Sequence, residues 1–157
     1  MKNPKVTITK LDRMRIAAVQ CISNTPEKDT WAKLRAWAEP LGLFHDLEGH
    51  PVFGFNNPPP TDESKGYGYE LWIRIDANTK PEGEIIAKDF AGGLYAVTTC
   101  KLLGDANGSI QDVWQQLWQW VQASDYKWRR THELEKPQDP LASVKDMVLD
   151  LYLPIES

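Results

Sequence analysis

The sequence predicts an α+β fold made of two tandem strand–helix–strand–strand modules, and three observations carry the prediction. First, the same helix motif occurs twice, as Trp31-x-x-Leu34-x-x-Trp37 and as Trp114-x-x-Leu117-x-x-Trp120. Second, a strand-like run holding a cysteine precedes each helix, with Cys21 in one and Cys100 in the other. Third, the strands that end the two halves match. Tyr69-Glu70-Leu71-Trp72-Ile73-Arg74-Ile75 lies on Leu149-Asp150-Leu151-Tyr152-Leu153-Pro154-Ile155, each with an acid and then an aromatic opposite an aliphatic stripe. The chain is read as a single domain over residues 1–157, with one repeat spanning about 14–77 and the other about 93–157. Each aliphatic stripe packs under its helix, leaving the other sheet face in need of cover. Two antiparallel sheets related by a pseudo-twofold axis, each with a helix on one face, would then bring Glu70, Trp72, Asp150 and Tyr152 round one ligand cleft between the modules.

The elements follow in order. Val6–Leu11 alternates apolar and polar residues and reads as a strand. Met14–Ile22 is nearly continuous in apolar character and reads as a central strand. Thr25-Pro26 starts a helix, with Thr as cap and Pro in the first turn, and Pro40 ends it. His50–Asn56 reads as a strand and Asn57–Gly66 as a loop rich in proline. Tyr67–Ile75 alternates cleanly, and Ile85–Phe90 and Leu94–Leu103 are strands parted by Gly92-Gly93. Ser109 is the expected cap of a helix running to Ala123, with Val113, Trp114, Leu117, Trp120 and Val121 on its apolar side. His132–Lys136 reads as a short strand and Met147–Ile155 as the last one.

Composition narrows the function classes. The formal charge of −4 and the absence of a helix-turn-helix pattern argue against a nucleic-acid partner. The one basic cluster, Lys127, Arg129 and Arg130, reads as solvated surface. No apolar run approaches the roughly 20 residues that span a bilayer, and the basic start leads into no apolar signal core, so no membrane role is expected and the cytoplasm is the expected compartment. Cys21 and Cys100 read as small buried hydrophobes. His45, His50 and His132 have no zinc-site spacing, no glycine pattern fits a phosphate loop, and neither metal nor cofactor is expected. Seven tryptophans in 157 residues is an unusual load; most should be core, and an excess is also what an aromatic ligand cleft would require.

The chain resembles the GyrI-like small-molecule-binding domain, also the effector-binding domain of AraC- and MerR-type multidrug regulators, here in stand-alone form. The residues that carry the resemblance are Gly66-Tyr67-Gly68-Tyr69-Glu70-Leu71-Trp72, Gly92-Gly93-Leu94-Tyr95-Ala96-Val97, Val113-Trp114-x-x-Leu117-x-x-Trp120, His132-x-Leu134-Glu135 and Leu149–Ile155. It implies an aromatic pocket with a buried acid, suited to lipophilic cations. By this resemblance Glu135, after Leu134, takes the place of the pocket glutamate, although the position two residues on, often Tyr in the family, is Pro137 here. Glu70 takes another pocket-acid position. Some stand-alone members hydrolyse strained cyclopropane-containing toxins with acidic and aromatic pocket residues.

The expected ligand contacts are therefore Glu70, Trp72, Tyr95, Trp120, Glu135 and Tyr152, with Tyr67 at the rim. A buried Glu70 costs several kcal/mol unless paired, and the bland alternative is an exposed face or a pair with Arg74. Glu135 sits in a charged stretch and could equally be a solvated edge. Trp31, Trp37, Trp114 and Trp120 read first as core; Trp118 or Trp120 could still cap a ligand, and Trp128 could stack on Arg129 or Arg130. The leading reading is a binder of a small lipophilic cationic or aromatic ligand, for sensing, sequestration or protection. A hydrolase of small electrophilic toxins, with Glu70 and Glu135 as catalytic candidates, is the second. A protein-interaction module such as a gyrase modulator is the third. A homodimer paired through the edge strand Val6–Leu11 is left open.

Overall fold

The computed structural model describes residues 4–57 and 67–157. The expected loop at residues 58–66, with Gly66 of the resemblance motif, lies outside them. The chain is α+β and divides into two compact units, Met14–Phe90 and Met1–Arg13 with Ala91–Ser157.

The Met14–Phe90 unit holds β2 (Met14–Ser23), α1 (Pro26–Ala38), β3 (Val52–Asn56), β4 (Tyr67–Arg74) and β5 (Ile86–Phe90), following β1 (Thr7–Leu11) of the other unit. Its strands lie in the order β3-β4-β2-β5, every pair antiparallel. The alternation of β4 separates two faces, as its period of two requires. Leu71 and Ile73 face α1 and join Ala17, Val19, Leu34, Ala38 and Val52 in one apolar core. Trp31 and Trp37 pack on its edge, half-buried. Thr25 precedes α1 but makes no side-chain cap hydrogen bond to it. Its hydroxyl turns instead to the Asp29 carboxylate (3.2 Å), which the Ser23 hydroxyl also reaches (2.5 Å), so the acid in the first turn does the fastening.

The second unit holds β1, β6 (Gly93–Lys101), α2 (Ile110–Ala123), β7 (Lys127–Trp128), β8 (Leu134–Pro137) and β9 (Val148–Glu156). Its order is β1-β6-β9-β8, with β7 also paired to β9, again all antiparallel. Ser109 caps α2 as expected, in a reciprocal box: its hydroxyl accepts from the Asp112 amide (3.2 Å) and its own amide donates to the Asp112 carboxylate (2.9 Å). Val113, Leu117 and Val121, one helical turn apart, are buried against Leu149, Leu151, Leu153 and Ile155 of β9. At roughly 1.5–3 kcal/mol per buried aliphatic side chain, this stripe fixes α2 on the sheet. The strand expected at residues 132–136 begins only at Leu134, because His132 and Glu133 do not pair with β9. The two-residue β7 is too short for any periodicity to reveal it.

Candidate functional site: a tryptophan groove on the second unit

Residues 114 and 118 lie one turn apart on α2, each one residue past a member of the buried stripe Val113–Leu117–Val121. That offset places them on the flank of the helix instead of beneath it. β7 pairs Trp128 with Ile155, so Trp128 stands on the same sheet face as Leu153, the face α2 covers. Together Trp114, Trp118 and Trp128 enclose a groove of about 310 Å³, with Leu153 in its lining and Gln115 and Glu133 as its polar groups. The Trp118 and Trp128 rings meet edge-to-face with centroids 5.9 Å apart at 72°, and they stay 36% and 39% exposed. Two indoles left this open on the rim of an apolar recess have large surface to cover.

Glu133 is the acid in the lining of this groove, and its side chain stands at the exposed rim. Desolvation by its surroundings raises its carboxyl above the usual carboxylate range. A cation arriving between indole faces and this carboxylate would meet both ring quadrupoles and an opposite charge.

The expected site residues fall in several places. Glu70 and Trp72 share the β4 face opposite α1, as expected, but Glu70 is 3% exposed and already served by the protein. Its carboxylate accepts from the Trp72 indole (2.5 Å), the Asn57 amide (3.0 Å) and the Lys88 ammonium (3.1 Å). Its salt-bridge partner is thus Lys88 and not Arg74. Trp72 packs with Phe55 (4.9 Å, edge-on) and Phe90 (5.1 Å). Tyr67 lies on the α1 side of β4, and its hydroxyl donates to Glu27 (2.7 Å).

Tyr95 and Tyr152 are both buried and meet edge-to-face at 5.7 Å. Burial and the nearby Asp150 charge push the Tyr152 hydroxyl up to about 12. The register sets Leu134 opposite Tyr152 and Glu135 opposite Leu151, so Glu135 points to the face of α2 and not to that of Tyr152. Trp120 packs half-buried against the core of the second unit. Trp128 packs on Trp118, while Arg129 lies over Tyr95. A second, polar concavity of about 740 Å³ opens on the Tyr152 face, lined among others by Thr7, Thr9, Thr99, Gln138 and Asp150.

The carboxylate in the lining of this groove is Glu133, two residues before the expected Glu135. The signal for Glu133 is the break between it and the first paired residue, Leu134, which periodicity in a four-residue strand hardly shows. Among the described residues no group of His, Cys, Asp and Glu could hold a metal ion, and no helix is long and apolar enough to cross a membrane.

Comparison with known proteins agrees with this architecture. No curated protein matches the chain in sequence. In solved structures it is similar to the EcmrR C-terminal domain (TM-score 0.67, 15% identity, 98% of each chain covered). It spans 58% of the EcmrR chain in the EcmrR–DNA complex. It is also similar to a hydrolase encoded by lin2189 of Listeria innocua (TM-score 0.68, 12% identity, covering 98% of this chain and 93% of that one). A third similar structure is SAV2435 bound to tetraphenylphosphonium (TM-score 0.54, 12% identity, covering 98% and 94%). At these identities the likenesses show the fold. The family described as integron-associated effector binding protein (Cass2) matches residues 7–155. The chain therefore belongs to the integron-associated effector-binding protein family, with a GyrI-like fold.

Proposed function

We propose that the chain captures a small lipophilic cation, or a cationic aromatic molecule, in the groove of Trp114, Trp118 and Trp128, with Glu133 as the counter-charge. The observation that carries this reading is the pair of partly exposed, mutually packed indoles, with the Glu133 carboxylate in the lining of the same groove. A carboxylate held in such surroundings favours an arriving positive charge and repels anions. The volume of about 310 Å³ suits a ligand of a few rings. Tetraphenylphosphonium, the ligand of the similar SAV2435, has this chemistry. Glu70, saturated by Trp72, Asn57 and Lys88, is assigned a structural role instead. The cellular role that follows is sensing or sequestration in the cytoplasm.

The test is quenching of intrinsic tryptophan fluorescence by tetraphenylphosphonium. Saturable quenching that is lost in Trp118→Ala supports the groove; quenching that persists unchanged in that variant places the ligand elsewhere.

A hydrolytic reading of the same groove rests on one observation, the raised carboxyl of Glu133, which suits a general acid. It predicts turnover of strained cyclopropane electrophiles that Glu133→Gln abolishes. Binding without turnover leaves the capture reading alone.

A further inference from the structure

Trp128 forms one wall of the groove, yet the strand that carries it is two residues long and, among the described residues, pairs with β9 alone. So short a strand has little hold of its own on the sheet. The next residue supplies what it lacks. The Arg129 amide donates to the Pro154 carbonyl (3.1 Å), and its guanidinium donates to the carbonyls of Ile155 (Nε, 3.3 Å) and Leu94 (Nη2, 3.2 Å). The same guanidinium lies 5.0 Å above the ring of Tyr95, which is buried and braced by Tyr152. Room for it exists because position 93 is glycine: at φ +129° a Cβ would stand 2.6 Å from Nη2.

The two neighbours thus work on opposite faces of one sheet. Trp128 shares the face of Ile155 and Leu153 with α2, and Arg129 reaches round to the face of Tyr95. Two carbonyls and a ring fix the planar guanidinium in position and orientation, as a fork of donors can and a lysine ammonium cannot.

We propose that Arg129 is the positioning residue of the groove: anchored on the reverse face of the sheet, it holds Trp128 against Trp118 and so keeps the ligand wall standing before any ligand arrives. The consequence for binding rests on the groove being the ligand site; the positioning itself does not.

The test uses the far-ultraviolet exciton couplet that two packed indoles produce in circular dichroism, read beside tetraphenylphosphonium affinity. The wild-type chain should show a couplet that Trp118→Ala and Trp128→Ala each remove. Arg129→Ala and Arg129→Lys should both lose most of it while still melting cooperatively, and should bind the cation about tenfold more weakly, since wall and ligand contact go together. Should Arg129→Ala fail to fold, Arg129→Lys keeps the charge and serves alone. A full couplet in Arg129→Lys, or its absence in the wild type, overturns the positioning role. A wild-type chain with the couplet but no cation binding defeats the groove as ligand site and leaves the role of Arg129 standing.

Discussion

Trp118 and Trp128, ten positions apart in sequence, meet edge-to-face at 5.9 Å on the second unit, one from the flank of a helix and one from a two-residue strand. The pair stabilises little as core, because both rings remain more than a third exposed. Its geometry is that of a wall prepared for a third aromatic or cationic partner.

Removing either ring should therefore hurt binding more than folding. We expect Trp118→Ala or Trp128→Ala to weaken tetraphenylphosphonium binding by roughly 2- to 30-fold, the worth of about 0.5–2 kcal/mol of lost ring contact. The urea midpoint should move little in comparison. Calorimetric titration beside urea unfolding checks both.

Glu133 makes the groove sensitive to pH. Its carboxyl is raised above the ordinary value by desolvation, so the folded chain holds that proton more tightly than the unfolded one. The stability this contributes is fully present below the unfolded value and is lost as pH rises through the folded one. Glu133→Gln should accordingly melt slightly higher than the wild type at neutral pH and match it in acid. Cation affinity runs the other way: it should fall in the wild type as pH drops through the Glu133 value and stay low and flat in the glutamine variant. Melting and binding series across acidic pH test the two signs separately.

Glu70 should behave as structure. Removing a buried carboxylate that serves three donors takes one acceptor from each of the Trp72 indole and the Asn57 amide, while the part-exposed Lys88 can turn to water. We expect Glu70→Ala to cost about 1–3 kcal/mol in urea unfolding. Cation affinity of the folded variant should be unchanged.

Cys100 should be chemically quiet. Burial, with the Asp105 and Glu135 charges, pushes its thiol up to about 11. At about pH 8 its thiolate fraction falls roughly 100-fold below that of an ordinary cysteine. A disulfide-exchange reagent should label it in the unfolded chain and leave it almost untouched in the native one.

Much of this was legible in the residues. The repeated Trp-x-x-Leu-x-x-Trp helices, the alternation of β4 and β9, and the Ser109 cap each state a local geometry that tertiary packing keeps. The site was less so. Glu70 and Trp72 share the expected face, but pattern alone could not say that Asn57 and Lys88 would fill the carboxylate. Placing Glu135 in the pocket rested on the family resemblance, as the glutamate that follows Leu134, and not on the strand pattern. Pairing starts at Leu134, so Glu135 faces the α2 side and Glu133 comes before the strand, at the groove. Trp128 looked like a partner for a neighbouring arginine. A two-residue strand turned it to one face and Arg129 to the other, and nothing shorter than the fold contains that information.

The central claim is that Glu133 and the tryptophan groove select positive charge. It is tested most directly by titrating the chain and its Glu133→Gln variant calorimetrically with tetraphenylphosphonium and with triphenylphosphine oxide, an uncharged molecule of similar aromatic bulk. The account predicts that the wild type prefers the cation and that the variant loses this preference while still taking the neutral compound. Equal affinity of the wild type for both, or a preference that survives in Glu133→Gln, would contradict it.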